Sequence, residues 1–245
     1  MKLKIGGATW CKQNLESELK NLKSAGYDFA EIDLGSPIEP NKIFEDEIKK
    51  NKNIIPVFAG HLPEIDFKEE EIERCKKFIE ILSNQGVNLF IIHLFSRNLS
   101  TDGNIDLKIE GLKELTDFAK NNNSILVLEN TEEDVDVLKQ VFDKIPEIDF
   151  CLDIGHANLF AKENRSINLI QSFGRILKHV HLHDNVGGDT EKCDLHLPIG
   201  AGKINFAPIF DKLKEIKYSG NITLEVYNPD KKYRKISIDR IRKLI

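Results

Sequence analysis

Short apolar runs alternate along this chain with longer stretches whose apolar residues recur every three or four positions, and the alternation repeats eight times. The runs are LKIGGAT (3–9), FAEIDLG (29–35), IIPVFAGH (54–61), LFIIHLF (89–95), ILVLEN (125–130), DFCLDIGH (149–156), ILKHVHLHD (176–184) and NITLEVYN (221–228). Runs of this length, rich in β-branched and aromatic residues, read as strands, and the segments between them read as helices. The clearest helix spans 67–85: Asp66 stands as its cap, Glu69 follows as in a capping box, Ile72, Cys75, Ile79 and Leu82 form one stripe, and Gly86 stops it. Similar periodicity marks 15–25, 42–51, 107–121, 132–143, 166–174, 206–217 and the basic stretch 231–245. Strand–helix units repeated eight times, without linker or low-complexity segment, predict a single (β/α)8 TIM barrel forming one domain over 1–245. The competing doubly wound sheet wants a glycine-rich phosphate turn after its first strand, and GGATW is a poor one.

A formal charge of −5 supplies no overall attraction to a phosphate backbone, so nucleic acid is not the expected partner. No apolar run approaches the ~20 residues needed to span a bilayer, which predicts a cytoplasmic protein without membrane association. Cys11, Cys75, Cys151 and Cys193 are scattered with no CxxC pair, so they read as reduced thiols rather than a disulfide framework or zinc knuckle.

In a barrel of this kind the loops after the strands build the open concave face, so chemistry collects at the strand C-termini. The metal-capable residues fall there. His61 ends the third strand, His93 lies near the end of the fourth and Glu129 near the end of the fifth. Asp153 and His156 close the sixth, His181 and His183 the seventh, and Glu225 lies late in the eighth. Side-chain alternation puts His179, His181 and His183 on one face with Val180 and Leu182 on the other, and Thr223 and Glu225 opposite Ile222, Leu224 and Val226. The polar faces therefore line the barrel interior. Imidazoles and carboxylates converging there carry a desolvation cost that a divalent cation balances most simply.

On these grounds Glu129, Asp153, His181 and Glu225 are the expected metal ligands. His179, deepest in its strand, reads as a hydrogen-bonded core residue, and His183 as second-layer support or a substrate contact. Glu31 and Asp33 also end a strand, and an ion pair with a neighbouring lysine accounts for them. Trp10 walls the pocket or covers its rim, and Cys151 fits as a small interior filler.

The segments LVLENT (126–131), CLDIGHAN (151–158), HVHLHDN (179–185), DLHLPIGAGKINFAPIF (194–210) and YSGNITLEVYN (218–228) resemble the xylose-isomerase-like barrel superfamily. The first half joins through HLP (61–63) and IIHLF (91–95). In the isomerase and epimerase branch the resemblance implies one divalent metal (Mn, Mg, Co or Zn) on Glu129, Asp153, His181 and Glu225. There the two glutamates also act as the acid and base pair, and His156 touches substrate. In the endonuclease IV branch, which repairs abasic sites in DNA, the matching positions are His61, His93, Glu129, Asp153, His156, His181, Asp194, His196 and Glu225, and the resemblance implies up to three zinc ions.

The loops WCKQN and SPIEPN are short and nearly devoid of the aromatic and basic residues that bent DNA requires. Lys203, Arg97 and Lys162 are instead candidates to meet one sugar phosphate. The expected function is therefore a metal-dependent isomerase or epimerase of a sugar or sugar phosphate, with a zinc phosphodiesterase as the alternative. Barrels of this type often associate into homo-oligomers. The expected ligand is a small molecule, contacted by His156, His183, Trp10 and Lys203.

Overall fold

The computed structural model of the chain describes residues 3–95 and 105–245. Parallel strands β1 (Ile5–Ala8), β2 (Phe29–Asp33), β3 (Val57–His61), β4 (Leu89–His93), β5 (Ile125–Glu129), β6 (Asp149–Asp153), β7 (Leu177–Leu182) and β8 (Asn221–Leu224) close in sequence order into one barrel. Helices α1 (Leu15–Ala25), α2 (Lys42–Asn51), α3 (Glu69–Ser83), α4 (Ile105–Asn121), α5 (Val135–Lys144), α6 (Ser166–Phe173), α7 (Phe206–Glu215) and α8 (Lys232–Ile241) follow the strands in turn. The fold is thus the (β/α)8 TIM barrel that the repeating pattern predicts. No helix among the described residues is long and apolar enough to cross a membrane.

The strands are shorter than the apolar runs that announce them. In the third run, Pro56 has no N–H to give the ladder, and the strand starts at Val57. At the helix after it, Phe67 takes a φ of 60°, which breaks the chain two residues before α3 begins. The cap is accordingly not Asp66. Glu71 closes the helix start instead, its Oε2 accepting the N–H groups of Asp66 and Lys68 at 2.9 and 3.1 Å. The expected stripe Ile72, Cys75, Ile79 and Leu82 is buried and includes Phe78.

The outward faces of the strands and the inward faces of the helices form one apolar shell, with Leu22, Ile32, Phe78, Phe90, Phe150 and Leu182 fully buried in it. Each such side chain contributes roughly 1.5–3 kcal/mol of transfer free energy. A separate plug of Ala59, Leu89, Ile91, Val127 and Cys151, with Phe58 against it, fills the barrel interior. Phe29 packs beside Phe58 with ring centroids 5.1 Å apart, and His179 stacks on Phe58 at 6.1 Å. This apolar floor closes the lower barrel and leaves the polar strand ends above it.

Gly6 makes the floor possible, since a Cβ at that position would lie 2.0 Å from Phe29 Cε2. Gly6→Ala should lower the unfolding free energy by about 1–3 kcal/mol, the usual cost of overpacking. Trimming the ring in Gly6→Ala/Phe29→Leu should recover part of that loss, as read from urea midpoints of the two variants. A Gly6→Ala midpoint equal to the parent would show that the floor is not tightly packed.

Candidate metal centre and active site

Three residues at adjacent strand ends start the site. Parallel register pairs His93 with Glu129 across β4 and β5, and His61 ends β3 beside them. His61 Nε2 and His93 Nε2 lie 3.1 and 3.2 Å from Glu129 Oε2. The same oxygen is 3.0 Å from His181 Nδ1, which is also 3.3 Å from Glu225 Oε1. Glu225 follows β8 rather than ending it, but its N–H still donates to Leu182 O at 2.9 Å, so the backbone keeps the strand direction. Glu129 Oε1 faces His156 Nδ1 at 3.1 Å. Both oxygens of Glu129 are thus shared among the imidazoles of four residues.

A second group stands on the other side of Glu225. His196 Nε2 is 3.0 Å from Asp194 Oδ2, and His156 Nε2 is 3.8 Å from the same atom. His183 Nε2 lies 3.3 Å from Asp153 Oδ1 and 3.6 Å from Asp194 Oδ1, and its ring stacks on His196 at 3.9 Å. His183 therefore joins the donor cluster rather than the rim. Gly155 makes room for it, because a Cβ there would meet His183 Nε2 at 2.2 Å. His196 itself has a φ of 42°, a left-handed conformation that few side-chain-bearing residues adopt without compensation.

Buried polar residues hold the loops. Asn130 exchanges two hydrogen bonds with the Asp153 backbone, both at 2.9 Å. Arg165 donates to the carbonyls of Thr131, Glu132, Glu133, His156 and Leu159, which ties the loop after β5 to the loop after β6. Asp184 is fully buried and accepts the N–H groups of Asn185, Gly200, Gly202 and Ile204, anchoring the loop after β7.

The donors open into a cavity of about 480 Å³. Its wall includes His61, His93, His156, Asp194, His196 and Glu225, together with Lys12, Arg74 and Tyr227. Sequence reasoning missed these last three. Tyr227 was within reach of the alternation argument, lying two residues beyond Glu225 on the same face; Lys12 and Arg74 arrive from a loop and a helix and gave no such signal. Trp10 does not line the cavity but packs behind Tyr227, ring centroids 6.2 Å apart. Lys203 and Lys162 are exposed and do not line it, and Arg97 lies outside the described residues. A larger cavity of about 670 Å³ lies toward the opposite end of the barrel, with Leu3, Phe210 and Ile245 on its wall beside Lys214, Lys217 and Arg242, and without a histidine, aspartate or glutamate.

The charges respond to this crowding. Burial alone would raise the Glu129 carboxyl, but the charges of His181 and His93 and the close approach of the His156 and His181 rings hold it well below the usual carboxylate range. Burial lowers the His61 imidazole, yet the Glu129 hydrogen bond and charge prevail and push it up to about 9. His196 is raised in the same way by Asp194. His183 is lowered by burial and by the nearby His196 charge.

The donor set fits a divalent cation. Both ring nitrogens of His93, His181 Nδ1, Glu129 Oε1 and Asp153 Oδ2 are buried and make no hydrogen bond, although buried polar atoms are nearly always satisfied. Groups of three or more ligand atoms within 4.8 Å of one another form around His61, His93 and Glu129, around His61, His181 and Glu225, and around His156, His183, Asp194 and His196. Nitrogen and carboxylate donors of this kind suit Zn, Mn or Co, and the carboxylates suit Mg.

Because imidazoles held protonated by neighbouring carboxylates must lose their protons to bind metal, uptake should release protons at neutral pH and weaken progressively as pH falls below about 9, the raised value of His61. Calorimetry in buffers of different ionisation enthalpy reads the release directly. At a metal concentration ~100-fold above Kd the chain should gain about 2.7 kcal/mol, a Tm rise of roughly 5–10 °C. Uptake that releases no proton would contradict this electrostatic description.

Comparison with known proteins agrees with this architecture. Residues 19–244 match the family model described as "Xylose isomerase-like TIM barrel". The chain is 35% identical over 191 residues to the uncharacterized protein MJ1311 of Methanocaldococcus jannaschii, covering 75% of this chain and 54% of that protein. It is 36% identical over 87 residues to the uncharacterized protein MJ1614 of the same organism, covering 36% of this chain and 32% of that protein. The chain thus spans about half or less of the curated relatives it matches. Among solved structures, a D-tagatose 3-epimerase-like protein superposes with a TM-score of 0.82 at 22% identity, covering 99% of this chain and 97% of that one. An L-ribulose 3-epimerase superposes with a TM-score of 0.78 at 16% identity, covering 99% and 94%. A xylose isomerase domain protein from Planctomyces limnophilus also reaches 0.78 at 16% identity, covering 100% and 96%. At these identities the superpositions speak for the fold, while the sequence match over most of the chain settles its kinship: the protein belongs to the xylose isomerase-like TIM barrel family.

Proposed function

We propose that the chain is a divalent-metal-dependent enzyme that isomerises or epimerises a sugar or sugar phosphate, with Glu129 and Glu225 as the proton-transferring pair. One observation carries the reading: the two carboxylates reach the same imidazole nitrogen, His181 Nδ1, at 3.0 and 3.3 Å beside a cavity of about 480 Å³, a volume for a small molecule. Barrels named as tagatose and ribulose epimerases superpose over nearly the whole chain, which supports the same reaction class.

A divalent ion on Glu129, Asp153, His181 and Glu225 would polarise a carbonyl and its neighbouring hydroxyl, easing removal of the proton between them. Glu129 ends β5 and Glu225 follows β8, so β6 and β7 lie between them; Glu225 lines the cavity and Glu129 lies buried behind its wall. One glutamate, ionised, takes the proton from carbon, and the other, protonated, gives up its own proton, to the opposite face for epimerisation or to the adjacent carbon for isomerisation. His156, on the cavity wall, orients a substrate hydroxyl, and Tyr227 offers it an aromatic face.

Solvent-derived deuterium should enter a ketose or ketose phosphate at the carbon beside the carbonyl when the enzyme is loaded with Mn, Mg, Co or Zn. Glu129→Gln should lower that exchange by at least ~100-fold, the usual scale of losing a positioned acid or base. Absence of exchange across a broad sugar and sugar-phosphate panel would overturn the proposal.

A second reading, a zinc-dependent phosphodiesterase of the abasic-site endonuclease class, is favoured by the two donor groups flanking the central four residues. A single-metal isomerase leaves both unexplained, whereas clustered zinc would activate a hydroxide and neutralise phosphate. Incision of an abasic duplex at near-physiological salt, lost in His196→Ala, would establish it.

A further inference from the structure

Three of the histidines around the site are oriented by a shared device. His61 Nδ1 donates to Leu62 O at 3.0 Å, His156 Nδ1 to Asn130 O at 3.2 Å and His196 Nδ1 to Glu225 O at 3.1 Å. Each ring thereby turns its Nε2 toward the carboxylates of the cavity. His181 is reversed. Its Nδ1 faces Glu129 and Glu225, and its Nε2 points down the barrel to Glu31, 3.2 Å from Oε1 and 3.3 Å from Oε2.

Glu31 was expected to pair with a lysine. It is fully buried in the middle of β2, and its partners are His179 Nε2 at 3.1 Å, the Thr223 hydroxyl at 2.9 Å and His181. His179 and Thr223 have no exposed surface either. They therefore serve as donors that fix a buried carboxylate beneath the site.

We propose that Glu31 is a positioning residue, which accepts the Nε2–H of His181 and so holds the ring with Nδ1 presented between Glu129 and Glu225. The proposal rests on the reading of those residues as a metal centre. A ligating imidazole must keep one nitrogen unprotonated and aimed at the ion, and a carboxylate on the other nitrogen fixes tautomer and orientation while raising ligand basicity. The carbonyls do this for the other three rings. At His181 the partner on Nε2 carries a full charge, and the Nδ1 of the same ring reaches both glutamates of the proposed proton-transfer pair. Glu31, His179 and His181 also lie close enough to hold a cation of their own, and the metal count distinguishes that case.

The test is a zinc competition titration of the full chain against a chromophoric chelator, with metal content per chain measured in parallel. Glu31→Gln keeps the shape of the side chain and should weaken the tightest zinc site by about 10–100-fold at unchanged stoichiometry. The metal-free Tm of Glu31→Gln should fall, because removing one partner of a buried charge pair costs stability, so the titration is run below that Tm. Thr223→Val removes one donor from Glu31 and should weaken zinc by a smaller factor, which keeps the proposal testable should the first variant fail to fold. Wild-type affinity in both variants would overturn the positioning role alone. Loss of one zinc per chain in Glu31→Gln would overturn it in favour of a separate ion beneath the site. A wild-type chain that takes up no divalent metal would overturn both this proposal and the metal reading it rests on.

Discussion

The upper barrel is organised around one buried carboxylate. Glu129 has no exposed surface, and its oxygens meet His61, His93, His156 and His181 within 3.2 Å. A bare carboxylate so far from water would be driven toward its neutral form, and like charges 4 Å apart repel by about 4 kcal/mol even at an effective dielectric near 20. Imidazoles from four different strands or strand-following turns offset that cost, which fixes the register of the strands that bring them. The rest of the site follows from this hub. Glu225 shares His181 with it, and Asp153 and Asp194 share His156 and His183 one step further out.

The apolar and polar halves of the barrel divide the work. The plug built on Phe29, Phe58 and Ile91 closes the bottom and keeps water from the underside of the site. Above it Glu31, His179 and Thr223 form a buried polar layer, and the donors of the cavity stand on that layer. The loops over the top are tied by single buried groups. Arg165 places its guanidinium on six carbonyls, Ala157 among them, and Asp184 its carboxylate on four amides, which anchors the loops that carry the donor side chains at 156 and 194–196.

How much of this was legible in the sequence depended on whether the governing interaction was local. Strand alternation places His181 and Glu225 on the interior face because side chains two residues apart share a side, and that needs no knowledge of partners. The strand-end rule placed His61, His93, Glu129 and Asp153 for the same reason. The contacts of Glu31 were not legible. Its partners lie 148 and 192 residues away, and nothing in FAEIDLG distinguishes a carboxylate buried among histidines from one at a surface ion pair. Lys203, expected as a substrate contact, is exposed and off the cavity wall, in a loop whose backbone Asp184 holds. His183, left open between support and substrate contact, stacks on His196 only because the chain doubles back through 194–196 after a loop whose path alternation does not describe.

The central claim is that these converging side chains form a metal centre with Glu129 as its shared ligand. Anomalous diffraction from crystals of protein loaded with zinc or manganese, collected on both sides of the metal absorption edge, tests it most directly. The account predicts an anomalous peak within about 2.0–2.3 Å of Glu129, Asp153, His181 and Glu225 donor atoms. Loaded crystals with no anomalous peak at Glu129 would contradict it.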